Sequence, residues 1–175
     1  KEVSSARTGL IAAAIFPFLP ASIDSSIFGY ANYLSFYTFI IVVVLYAWIR
    51  TVKAAGTHRY VSSYRQFGSI RTGLRNFYVY ERTTVKWAVF TGVALGALAL
   101  AWQGYTYGVV VTALSVLVLV IVERIRRVDS FSLYVSAWIV GAVAFPMAIP
   151  YYLVQQQFVV WFALPLLLYF GTLLL

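Results

Sequence analysis

Apolar residues fall into six long blocks along the chain, and all but one of the breaks between them are short. The blocks are GLIAAAIFPFLPASI (9–23), YLSFYTFIIVVVLYAWI (33–49), VKWAVFTGVALGALALAW (85–102), YTYGVVVTALSVLVLVIV (105–122), FSLYVSAWIVGAVAFPMAIP (131–150) and VQQQFVVWFALPLLLYFGTLLL (154–175). A membrane-crossing helix needs about 20 mostly apolar residues. The first block is short and carries Pro17 and Pro20; the others are close to that length. Their β-branched runs would suit strands in water. In lipid every backbone N–H needs a partner within its own segment, so helix overrides propensity. The pattern predicts an all-α, polytopic integral membrane protein with six transmembrane helices, one transmembrane domain over 1–175.

The long break is the basic loop 50–84. Hydrophobic spacing at Tyr60, Tyr64 and Phe67, then at Ile70, Leu74 and Phe77, predicts an amphipathic helix lying on the membrane surface. Gly92 and Gly96 form a GxxxG pair in the third block, a spacing that lets two helices approach closely.

Charge turns the helix count into a topology. With six alternating helices, all 13 Lys and Arg fall on one side, and Asp24 is the single acid between the first and second helices on the other. The positive-inside rule puts the basic loops in the cytoplasm of a cell-membrane protein. Dropping one helix would scatter the cations over both sides. The net charge of +8 is accounted for by topology and anionic lipid headgroups, with no nucleic-acid partner required. Tyr30, Tyr33, Trp48, Trp87, Trp102, Tyr105, Tyr151 and Tyr152 cluster near predicted helix ends, where interfacial aromatic belts form.

Composition supports the class: 62% hydrophobic, 10% charged, mean hydropathy +0.86. There is no Cys, so disulfides, thiolate nucleophiles and thiolate metal sites are excluded, and the single His58 excludes a multi-histidine metal site. No nucleophile–base pair, G-x-S-x-G, H-E-x-x-H or Gly-rich phosphate loop is present. The outer side offers Ser22, Asp24, Ser25, Ser26, Asn32 and Tyr33, then Gln103 and Tyr105, then Gln155, Gln156 and Gln157. Mg²⁺ or Mn²⁺ takes oxygen ligands, usually including a carboxylate, and Asp24 alone could supply one there.

The stretch LPASIDSSIFGYANYLSFYTFIIVVVLYAWIRTVKAAG resembles the catalytic subunit of oligosaccharyltransferase, archaeal members especially. In that family a Gly/Ala-rich helix ends at a Pro. A Ser-rich stretch and G-[aromatic]-x-Asp follow, then an aromatic-rich helix ending W-I-[RK]-x-x-K. Gly29-Tyr30-Ala31-Asn32 and Trp48-Ile49-Arg50 with Lys53 fit that order, and Trp102, Gly104 and Tyr105 match the family's S-W-G-G-Y segment with Gln103 for its first Gly. The resemblance implies an internal stretch of a larger type-C glycosyltransferase helical fold, lacking the family's first acidic outer loop and its W-W-D-x-G motif. It implies transfer of a glycan from a polyprenyl (dolichyl) phosphate carrier to protein asparagine on the outer face, with a divalent cation. Membrane lipids, the polyprenyl-linked sugar and an acceptor polypeptide are the implied partners. Catalytic positions would be Asn32 and Asp24, with Asp24 the metal ligand; Trp102, Gly104 and Tyr105 would shape the substrate site.

One departure changes the chemistry. Asn32 stands where the family keeps an acid, and a neutral amide oxygen does not neutralise a dication. Other readings stay open. One is a related polyprenyl-phosphate-sugar transferase, akin to protein mannosyltransferases or lipid-A aminoarabinose transferases. Another is a catalytically inactive paralogue. A third is a transporter segment, although no charge sits within any predicted helix core.

Overall fold

The computed structural model describes residues 33–56, 60, 67–126, 128–153 and 159–173, and among these the regular structure is entirely helical. The predicted first helix at 9–23, the loop residues Asp24 and Asn32, and residues 154–158 lie outside them. Helix α1 spans Tyr33–Ala54, α2 Phe67–Tyr80, α3 Arg82–Ala101, α4 Tyr105–Ile125 and α5 Phe131–Tyr152. A π-helical turn at Val159–Ala163 then leads into α6, Leu164–Leu173.

α1, α3, α4 and α5 are long and apolar enough to cross a membrane. The 20 residues of α3 give about 30 Å at ~1.5 Å per residue, matching the hydrocarbon core. Their outer stripes are apolar: Phe36, Phe39, Val42 and Tyr46 on α1, and Val111, Leu114, Val118 and Ile121 on α4, are all exposed. In water these stripes would be a liability, whereas their apolar character suits contact with lipid or with further membrane helices.

α1 runs past the expected end at 49 to Ala54, and α3 begins at Arg82 rather than 85. In both cases the helix continues into charged residues, whose long side chains can carry their heads to the interface. α2 lies within the basic loop, with Phe77 fully buried against Phe131 and Val135 of α5.

The last block is broken. Pro165 has no N–H for the carbonyl four residues back and its ring crowds that carbonyl, so the chain widens into the π-helical turn before α6.

Contacts at the helix ends fix an antiparallel zigzag. Tyr37, one turn into α1, stacks on Trp102 just past the end of α3. At the opposite end Thr84, in the first turn of α3, donates to Ala54 O at the end of α1, 2.7 Å away. Tyr105 at the start of α4 meets Tyr152 at the end of α5.

α3 sits between α1 and α5. A Cβ on Gly92 would lie 2.7 Å from Val143 Cβ and 2.9 Å from Val140 O; one on Gly96 would lie 2.9 Å from Met147 Sδ. The GxxxG pair is therefore where α3 and α5 approach backbone to backbone. Between helices, Trp48 Nε1 donates to Ser115 Oγ at 2.7 Å and Tyr169 Oη to Ala137 O at 2.8 Å. The Thr51 and Thr91 hydroxyls meet at 3.1 Å. Such bonds hold helices together where apolar contact alone gives no preference over lipid.

Candidate functional site

The zigzag gives the bundle two unlike ends. All charged residues within the described segments lie at one of them: Arg50, Lys53, Arg71, Arg75, Glu81, Arg82, Lys86, Glu123, Arg124, Arg126 and Asp129. The other end is made of aromatic rings.

At the charge-free end the chain leaves α3 through Trp102, whose backbone is extended (φ −155°, ψ 132°). It enters α4 at Gly104 (φ −69°, ψ 4°). The turn is closed by Tyr105 N–H donating to Trp102 O at 3.1 Å and Tyr107 N–H to Gly104 O at 3.0 Å. The Trp102 indole folds back over this turn. A Cβ at residue 104 would lie 2.2 Å from Trp102 Cζ2, inside the ring's van der Waals surface. Glycine is required here for space, not for its backbone angle, which any residue adopts. The indole stacks on Tyr37 with centroids 5.3 Å apart and planes 8° from parallel. Tyr107 tilts against it at 6.3 Å.

Tyr105 turns the other way. It is 2% exposed and packs against Tyr152 at 5.5 Å. Tyr152 in turn donates from its hydroxyl to Ala99 O at 3.1 Å and stacks on Phe162. This aromatic layer ties α3, α4, α5 and the π-helical turn together. Of the three expected substrate-shaping residues, Trp102 is half-buried, while Gly104 and Tyr105 are buried in the scaffold beneath it.

Asn32 and Asp24 lie outside the described residues, but Asn32 immediately precedes α1, whose first turn this stack brings to the α3–α4 turn. The described acids Glu81, Glu123 and Asp129 lie at the far end, about 30 Å away along α3 and α4. Among the described residues no three His, Cys, Asp or Glu form a cluster that could hold a metal. The described residues of this end supply no carboxylate, and the candidate ligand Asp24 lies outside them.

The basic end is organised by one buried side chain that no sequence motif singles out. Glu81 joins α2 to α3 and is 7% exposed. Its carboxylate accepts from Gly56 N–H at 3.0 and 3.2 Å and from Tyr60 Oη at 3.1 Å. Thr84 Oγ1 shares its proton between this carboxylate and Ala54 O. A carboxylate taken from water must be hydrogen-bonded on both oxygens, and this one is. Burial, and then the adjoining carboxylate, push the Tyr60 hydroxyl up to about 12. Nearby, the Arg50 guanidinium lies 4.9 Å from the centre of the Trp87 ring, a cation–π contact.

A family model described as oligosaccharyl transferase STT3, N-terminal, matches residues 1–175, the whole of this sequence. The chain belongs to that family. The resemblance carried by the stretch around Asn32 and by Trp102-Gln103-Gly104-Tyr105 is thus supported over every helix described above. No curated relative and no solved structure matches it. As a member of the STT3 family with four apolar spans, the chain is part of an integral membrane protein of the oligosaccharyl transferase class.

Proposed function

We propose that this STT3-family chain forms membrane helices of an enzyme that moves a glycan from a polyprenyl (dolichyl) phosphate carrier to asparagine of an acceptor polypeptide, on the outer face of the cell membrane. The charge-free end faces outward and the basic end faces the cytoplasm. One observation carries the reading: the Tyr37–Trp102 stack joins the segment following Asn32 to the S-W-G-G-Y-like turn at the end bare of cations. Family membership supplies the chemistry.

In this reading the Tyr37–Trp102 stack, seated over Gly104, forms an apolar wall, and Tyr105 anchors the start of α4 through Tyr152. Asn32 and Asp24 enter from the loop before α1, and Asp24 is the one carboxylate this sequence offers on that face for Mg²⁺ or Mn²⁺. In this reading the carrier's tail enters sideways from lipid between the outer ends of the helices.

Asn32→Asp in the full-length protein is expected to raise metal-dependent glycan transfer, because a carboxylate replaces a neutral oxygen where a dication is bound. Transfer measured with and without the cation reads this out. No change would favour an inactive paralogue or a relative working on another acceptor.

A further inference from the structure

A groove of about 780 Å³ runs between α2 and α5 at the basic end, closed at one side by Leu173 of α6. Its walls are apolar. Ile70, Leu74 and Tyr78 form the α2 wall, one helical turn apart. The α5 wall runs from Phe131, the first residue of the helix, to Ala142. That distance is about 16 Å at ~1.5 Å per residue. It is roughly half of a ~30 Å hydrocarbon core, the depth of one leaflet. Trp138 stands midway along this wall, 44% exposed and braced by Phe170 with ring centroids 4.7 Å apart.

The rim has a charge to match. On α2, Arg71 and Arg75 each follow a groove-lining residue by one position, about 100° further round the helix. Both are exposed, and neither has an acidic partner among the described residues. Around α2 the order is therefore Phe77 packed into the core, then the apolar groove, then two guanidinium groups. A guanidinium binds a phosphate through paired N–H donors. The rim thus asks for an anion at the interface, and the groove asks for a chain of one leaflet's length below it.

We propose that this groove binds an anionic glycerophospholipid of the bilayer, one acyl chain lying along α5 past Trp138 and the phosphate held by Arg71 and Arg75. The site is separate from the aromatic end and does not depend on glycan transfer. It would fasten α2 to the bundle and couple its position to the lipid composition of that leaflet.

The test uses the full-length protein reconstituted in bilayers that contain phosphatidylglycerol or phosphatidylcholine bearing a photoactivatable diazirine in the acyl chain. Adducts are mapped by peptide mass spectrometry. The phosphatidylglycerol probe is expected to label the peptides containing Leu74 and Trp138 roughly tenfold more than the phosphatidylcholine probe. The double variant Arg71→Gln, Arg75→Gln is expected to abolish that preference, with labelling of the lipid-facing stripe of α4 as the internal control. Thermal stability in detergent checks that the variant still folds; if it does not, the single variants are read instead. Equal labelling by both probes would mean ordinary bulk lipid and would overturn the proposal. Absence of groove labelling while α4 is labelled would mean that protein covers the groove, another part of the full-length chain or a partner subunit, and would overturn it too.

Discussion

The two ends of the bundle are ordered by opposite physics. At the charge-free end α1, the end of α3, α4, α5 and the π-helical turn meet through rings: Tyr37 on Trp102, Tyr105 on Tyr152, Tyr152 on Phe162. A polar cross-link between helices there, Tyr152 to Ala99 O, uses a neutral hydroxyl. At the basic end, the loop after α1 and the start of α3 meet through the buried carboxylate of Glu81. Rings cost little to desolvate and, below the alkaline range where tyrosine ionises, respond little to pH and salt. A buried carboxylate is costly to desolvate and holds its neighbours only while its hydrogen bonds are complete. Among the described residues, the end proposed for the reaction is thus held together without charge, so fixed charge there comes from the segment before α1 that carries Asp24 and from substrate. The end proposed to face the cytoplasm is held by an element that conditions can alter.

The comparison breaks outright if the ends are not on opposite sides of the membrane. The sequence has no Cys, so single replacements in this region introduce unique labels against a background that any cysteines elsewhere in the full-length protein would define. Tyr107→Cys is expected to react with an impermeant maleimide from outside intact cells, and Arg126→Cys only after permeabilisation; the reverse pattern would invert the proposed orientation.

Next in size is Glu81→Ala. It strands the Gly56 N–H and removes one acceptor each from Tyr60 and Thr84, at an expected cost of about 3 kcal/mol in unfolding free energy. Glu81→Gln keeps an acceptor oxygen and should cost about 1 kcal/mol. Denaturation in detergent gives both values, and equal costs would mean that shape rather than hydrogen bonding matters at this end.

At the aromatic end, Gly104→Ala forces the Trp102 ring off the turn and off Tyr37. Overpacking and the lost stack together are expected to cost about 2 kcal/mol. Glycan transfer by the full-length protein should fall with it, and the indole emission should shift to the red as Trp102 enters a wetter setting.

The smallest effect is a pH dependence at the basic end. The folded-state value of Tyr60 is raised from 10.0 to about 12. Between those values the folded protein holds a proton that the unfolded chain has lost, so stability falls as pH rises. The contribution is complete below about pH 10 and is lost by about pH 12. The melting-temperature difference between the parent and Tyr60→Phe is expected to shrink over that window, and a constant difference would contradict the contact with Glu81.

Much of this architecture is legible in one dimension. A run such as VKWAVFTGVALGALALAW has little choice in lipid, and the described spans are helical there. The spacing Ile70, Leu74, Phe77 marks α2 because a helix at a surface must sort its residues by face. The rest depends on how helices rotate against one another. Spans that are apolar all round carry no periodic sign of which face turns inward, so nothing singles out Tyr37 from the other aromatics of α1 as the partner of Trp102. Glu81 reads as one acid in a cationic loop because its partners, Gly56 and Tyr60, are more than 20 residues away in sequence. Trp102 and Gly104 were marked by resemblance, whereas the reason for the glycine, an indole lying where a methyl would go, is visible only in three dimensions.

The bond from Trp48 to Ser115 sets a condition on how the protein is made. Its two ends are 67 residues apart. At a ribosomal pace of ~5–20 residues per second, roughly 3–13 seconds separate their synthesis. Through that interval the indole N–H of α1 lacks its acceptor. The segment must therefore stay at the insertion channel, or at the wetter edge of the bilayer, until α4 emerges, so translation speed over residues 50–115 bears directly on whether the helices assemble in the right order.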